Sequence, residues 1–197
     1  MKFIDKLEKI IEQYKDDTVE RTNGTRLLGP GEIPKSRHML FKPLTKEAIN
    51  DELITQYKNK FPEEYIKILM YTNGASLYTV RLNTEKFCIA HNMLTIFGLP
   101  RNPPYSRPDG EEPYSLKIED LGRHPEISKK WLKCARCTRN YVFGRTLEVF
   151  IDTESQKTFL VERNTNNILG AWNNLDECLC SILDELINCE EEYAYKK

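Results

Sequence analysis

Residues 61–77, FPEEYIKILMYTNGASL, constrain this chain most, because the apolar period changes just past their glycine. Tyr65, Ile68 and Leu69 fall at spacings of three and four, one stripe of a helix, whereas Tyr78, Val80 and Leu82 alternate with polar neighbours as in a strand. Pro62 stands where a first helical residue belongs, since the N–H it lacks would be unpaired there. Glu63 and Glu64 put negative charge at the positive end of the helix dipole. Asn73-Gly74 supplies a left-handed residue to close the last turn. A short helix must therefore hand over directly to a sheet.

Upstream, Thr45 is placed to cap another helix, with Glu47 in its first turn and Ile49, Leu53, Tyr57 and Phe61 down one face. The first helix is expected over residues 3–15, where Phe3, Leu7, Ile10 and Tyr14 form a one-sided stripe beside Ile4 and Ile11. That stripe fits its own domain, a partner or a second copy of the chain. Residues 16–43 lose periodicity and collect Gly24, Gly29, Pro30, Gly31, Pro34 and Pro43, which reads as a long loop. The expected organisation is an N-terminal helix and loop over 1–43, and an α+β domain over 44–197 that forms one folding unit with that helix.

Downstream, strands are expected at 75–82, 86–90 and 93–98, with turns at Asn83-Thr84-Glu85 and His91-Asn92. Trp131 to Cys137 reads as a further strand. From Gly144 on, Leu147, Val149 and Ile151 alternate, a turn at Thr153–Gln156 leads to Phe159 and Val161, and a second turn at Asn164–Asn167 leads to Ile168. This is an antiparallel meander. Asn174 caps a terminal helix with Glu177 in capping-box position, and Leu175, Cys178, Leu179, Ile182, Leu183, Leu186 and Cys189 hold its inner face. Glu190–Glu192 stand at the wrong end for the dipole and predict fraying. The fold class is α+β, a mostly antiparallel or mixed sheet with helices laid on it.

The order of these signals resembles the SUKH superfamily, which includes bacterial immunity proteins and fungal cell-wall assembly regulators. The residues that carry the resemblance are Leu44, Ile49, Pro62, Tyr65, Leu69, Asn73 and Gly74, joined by the acidic turn at Asp152, the strand ending at Trp172 and the helix from Asn174. It covers residues 44–188. The resemblance implies a non-catalytic cytoplasmic immunity protein that binds and neutralises a cognate toxin. A regulatory scaffold akin to the fungal members is the alternative, which the lack of long low-complexity tails disfavours.

The side chains carry little that points to chemistry. Lys and Arg total 29 against 30 Asp and Glu, a formal charge of −1, so no global basic footprint marks a nucleic-acid partner. Lys2, Asp5, Lys6, Glu8 and Lys9 interrupt the first apolar segment as no signal peptide allows, and no run reaches membrane-spanning length. The six cysteines sit in periodic apolar segments, not in a disulfide framework. Cys88-x-x-His91 and Cys134-x-x-Cys137 have metal-like spacing, but residues three apart in a strand point to opposite faces. No metal, cofactor or catalytic residue is assigned. Asp152 and Glu154 read as hairpin-turn acids, and His91 as a turn residue. No glycine-rich phosphate loop, serine elbow or paired-histidine zinc helix occurs, so an enzyme is not expected. The candidate partner surface is the proline-rich loop after Pro100, through Arg101, Tyr105, Arg107, Asp109 and Tyr114, residue types common in interfaces. Its alternative is a solvated connection whose tyrosines pack back on the domain. The oligomeric state is left open.

Overall fold

The computed structural model describes residues 1–30, 36–56, 61–83, 88–99, 131–139 and 145–194. Helix α1 (Lys2–Gln13) leads through a 3-10 turn (Lys15–Asp17) into strands β1 (Thr18–Glu20), β2 (Arg26–Pro30) and β3 (Ser36–Leu40). Helices α2 (Lys46–Gln56) and α3 (Glu63–Tyr71) follow. Strands β4 (Ala75–Asn83), β5 (Cys88–Ile96), β6 (Trp131–Arg139), β7 (Arg145–Asp152), β8 (Thr158–Glu162) and β9 (Ile168–Trp172) precede the terminal helix α4 (Leu175–Ala194).

The nine strands form one sheet in sequence order, every neighbouring pair antiparallel. The α+β expectation is met, with a purely antiparallel sheet among the described residues. The pairing register separates two rows that cross all nine strands. One runs Glu20, Arg26, Leu40, Ala75, Ile96, Ala135, Val149, Leu160, Gly170; the adjacent one runs Val19, Leu27, Met39, Ser76, Thr95, Arg136, Glu148, Val161, Ile168. Successive strand residues face opposite sides, so these rows belong to opposite faces.

The first row joins the helices. Leu40, Ala75, Ile96, Ala135, Val149 and Leu160 lie in one buried core with Phe3, Leu7 and Ile10 of α1, Ile49 of α2, Tyr65, Ile68 and Leu69 of α3, and the inner face of α4. The stripe of α1 is thus spent within its own domain, and at about 1.5–3 kcal/mol per buried large side chain it contributes substantially to holding that domain together. The N-termini of the helices are tied to one another. Glu64 of α3 accepts from the N–H groups of Leu175 (2.9 Å) and Asp176 (3.3 Å), and Asp176 in turn accepts from Lys2 (3.1 Å) and Phe3 (2.9 Å). Each carboxylate satisfies orphan donors and meets a positive dipole end. Lys6 and Asp184 pair along the same α1–α4 seam.

Several sequence expectations need correction. Residues 18–40 are not a long loop: they hold three strands that extend the sheet, two of them too short or too rich in Gly and Pro to show a period. His91-Asn92 is not a turn but lies within β5, paired with Val80 and Thr79, so two strands replace the three expected. Asn73-Gly74 does not cap α3, which ends at Tyr71 with Thr72 already extended. Gly74 has φ +92°, and a side chain there would also meet the Ile96 carbonyl at 2.8 Å, while Asn73 bonds both the N–H (2.7 Å) and the carbonyl (2.9 Å) of Leu99. The pair clamps β4 to the end of β5. Pro62 is the N-cap of α3, one position earlier than expected. Helix α4 extends to Ala194, past Glu190–Glu192. Thr45 does cap α2, accepting from Ala48 N–H (3.2 Å), and Asn174 caps α4 through Glu177 N–H (2.9 Å).

Candidate partner-binding face

The sheet face turned away from the helices carries an ion pair and an aromatic cluster, and a bulge in β6 decides which side chains share it. Lys133 pairs with Phe150 and Ala135 with Val149, so Cys134 is an extra residue with no counterpart on β7. The bulge reverses the alternation, putting Lys133 and Arg136 on one face although they are three residues apart. Glu148 stands beside Arg136 on β7. Lys133 Nζ lies 3.0 Å from Glu148 Oε1, and Arg136 Nη2 reaches the same oxygen only at 3.9 Å. The Lys133 and Glu148 side chains are 8% and 3% exposed, whereas that of Arg136 keeps 34%. Phe97 underlies both cations, its ring centroid 5.8 Å from Lys133 Nζ and 5.9 Å from Arg136 Cζ.

Toward β9 the same face becomes apolar. Trp131 on β6 and Phe159 on β8 stack over β7 at 4.4 Å and 5°, with Phe150 tilted beneath Trp131 at 6.3 Å. Phe150 and Val161 are buried, and Trp131 and Phe159 half-buried, in a cluster separate from the main core. Beyond them β9 pairs, among the described residues, with β8 alone, and a second bulge leaves Leu169 out of register between Ile168 and Gly170. Ile168 is 55% exposed and Leu169 45%. Large apolar residues exposed on a sheet edge mark a candidate recognition surface.

The residues expected from sequence to bind a partner, Arg101, Tyr105, Arg107, Asp109 and Tyr114, lie outside the described residues. The side chains of Cys88 and His91 lie outside the described residues; along the backbone, Cys137 pairs with Leu94, six residues along β5 from Cys88. Cys134 and Cys137 do share a face, contrary to the strand expectation, because the bulge turns both thiols toward the helices, where they join the main core with Cys178. Burial raises the pKa of Cys134 and Cys178 well above the usual thiol range, and the neighbouring thiols raise them further. Both stay protonated and behave as small apolar groups. Among the described residues no group of three or more His, Cys, Asp or Glu side chains could hold a metal. Asp152 closes its hairpin, accepting from Glu154 N–H (3.0 Å) and Ser155 Oγ (2.8 Å).

One buried polar group has no counterpart in the sequence reading. The backbone ladder of β3 with β4 runs only through Met39–Ser76 and Leu40–Ala75. Beyond it side chains take over: His38 Nδ1 accepts from Tyr78 N–H (3.3 Å), and Arg37 donates to the Thr79 carbonyl (2.8 Å). Tyr78 has φ +53°, unusual for an aromatic residue, and its ring meets His38 edge-on at 4.7 Å, with Tyr14 on the other side at 5.2 Å. Burial, and next the Arg37 charge, hold the His38 pKa down to about 3, so the ring is neutral at pH 7 and serves as an acceptor. Its role is to join strands.

Among the described residues no helix is long and apolar enough to cross a membrane. Comparison of the chain with protein-family models, characterised proteins and solved structures returned no match.

Proposed function

We propose that this chain is a non-catalytic protein-binding domain of the immunity type, which neutralises a cognate bacterial toxin in the cytoplasm by covering the surface the toxin needs. One observation carries the binding part of this reading: Ile168 and Leu169 are exposed on the β9 edge, one strand beyond Phe159 of the half-buried Trp131–Phe159 stack. The toxin part rests on the SUKH resemblance of residues 44–188. The burial of Ile49, Tyr65 and Leu69, which carry it, is compatible with that pattern.

Such binding works through shape and contact. A standard interface removes about 800 Å² from each partner, with most of the affinity in a few central aromatics or arginines. Trp131 and Phe159 are fixed by stacking before any partner arrives, so little rotamer freedom is lost on docking. A partner strand could also add to the edge of β9, although the bulge at Leu169 interrupts the ladder it would use.

Co-expression of the chain with the product of the adjacent reading frame, followed by co-purification and toxicity assay, tests the proposal. Rescue of growth together with a stable complex supports it. Growth arrest unaffected by the chain, or turnover of a substrate by the purified chain, overturns it. Within a complex, Trp131→Ala and Ile168→Asp report on this face, and Tyr105→Ala with Arg107→Ala on the loop.

A further inference from the structure

We infer that the contact between His38 and Tyr78 is an acid-released latch: when His38 takes up a proton, the Ser36–His38 end of β3 leaves β4 while the rest of the sheet stays folded. The inference is independent of what the chain binds.

Its basis is the construction of this junction. Strand β3 is held to β2 by a ladder that runs on through Leu28–His38 to Pro30–Ser36, but to β4 only by Met39–Ser76 and Leu40–Ala75. Strand β4 in turn pairs with β5 from Ala75 to Asn83. The seam between β3 and β4 is therefore the short one in this part of the sheet, and two side chains extend it. Tyr78 N–H donates to His38 Nδ1 at 3.3 Å, and Arg37 Nη1 donates to the Thr79 carbonyl at 2.8 Å. The two bonds respond differently to acid. Arg37 keeps its hydrogens at any pH, whereas a protonated Nδ1 can only donate, which sets it against the Tyr78 N–H. Tyr78 also stands at φ +53°, a backbone conformation that a bulky residue keeps only while its surroundings impose it. Loss of the His38 acceptor removes part of that constraint.

The groups packed against the ring do not offset the new charge. His38 is buried, and the charge that acts on it is the like charge of Arg37 on its own strand. Tyr14, after α1, and Tyr78, on β4, flank the ring at 5.2 and 4.7 Å, and β2 places the buried, apolar Leu28 opposite it. Once the end of β3 moves away, water solvates the imidazolium, so the open form binds the proton that the closed form resists. Between the ordinary value of 6.5 and the closed value of about 3, the open population rises by about tenfold per pH unit.

The test is native-state amide exchange of the full chain, read residue by residue by NMR between pH 7 and pH 5 at several sub-denaturing urea concentrations, with rates expressed as protection relative to an unstructured peptide. Tyr78 N–H is expected to be less protected than the amides of β7, to lose about 25-fold in protection from pH 7 to pH 5, and to be insensitive to urea, since a local opening exposes little surface. In His38→Asn, which keeps an acceptor, the pH dependence at Tyr78 should vanish. Protection and urea dependence at Tyr78 equal to those of β7 would overturn the inference, because His38 would then take up its proton only in global unfolding. So would Tyr78 protection that is constant with pH, or a pH dependence that survives in His38→Asn. The urea series on the wild-type chain decides between local and global opening without any variant.

Discussion

Lys133 Nζ lies 3.0 Å from Glu148 Oε1 in a nearly closed environment, an ion pair on the sheet face opposite the helices. Its energetic meaning lies in what happens when one partner is removed. Glu148→Ala leaves a buried ammonium without its carboxylate and should cost about 3–5 kcal/mol. The double replacement Lys133→Met with Glu148→Leu should cost far less, because neither desolvation penalty remains. Urea unfolding of the two single variants and the double variant measures this; equal losses in Glu148→Ala and the double variant would show that the pair is not coupled.

Capping of α1 by Asp176 predicts a local effect. Asp176→Ala should lower stability by about 1 kcal/mol and speed amide exchange at the start of α1 more than at its end. Glu64→Ala should do the same to α4. Hydrogen exchange read by mass spectrometry distinguishes these from a uniform loss.

His38 predicts a pH dependence. Its folded pKa of about 3 lies below the unfolded value of 6.5, so the unfolded chain binds the extra proton between those limits. Stability from this group is complete above about pH 6.5 and falls on acidification, by up to about 1.4 kcal/mol per pH unit. His38→Asn, which keeps an acceptor for Tyr78 N–H, should flatten the decline between pH 6.5 and 5. Denaturant midpoints at a series of pH values provide the check, and an unchanged slope in the variant would count against it.

The thiols in the core should be inert. Cys134, Cys137 and Cys178 are buried, and for Cys134 and Cys178 burial raises the pKa. An alkylating reagent at pH 8 should modify none of the three in the folded protein and all of them in denaturant, as mapped by peptide mass spectrometry.

Gly98 is a steric prediction. A β-carbon there would sit 2.2 Å from the Asn73 carbonyl oxygen, and that backbone is held by the bonds from Asn73 to Leu99. Gly98→Ala should destabilise by about 1–3 kcal/mol or more, since neither partner can move independently. Thermal unfolding measures it directly.

Much of the fold was legible because its signals are local. The stripes of α1 and α3, the caps at Thr45 and Asn174, and the alternation of Leu147, Val149 and Ile151 each depend on a few neighbouring residues and appear where expected. The strands within residues 18–40 were missed because Gly29 and Pro30 carry loop composition, and their pairing comes from residues far along the chain. His91 was misread for a related reason: a polar pair inside a strand looks like a turn until a partner strand continues past it. Arg136 and Glu148 went unnoticed as a pair. The one trace was Cys134-Ala135, two adjacent small apolar residues in an otherwise alternating strand.

By itself the sequence determined that helices would cover one face of an antiparallel sheet, because hydrophobic period and capping are properties of short segments. Only the tertiary structure decided which side chains share the other face. A single bulge at Cys134 shifts the alternation by one residue, and with a side-chain period of two that moves Arg136 from the side of Ala135 to the side of Glu148.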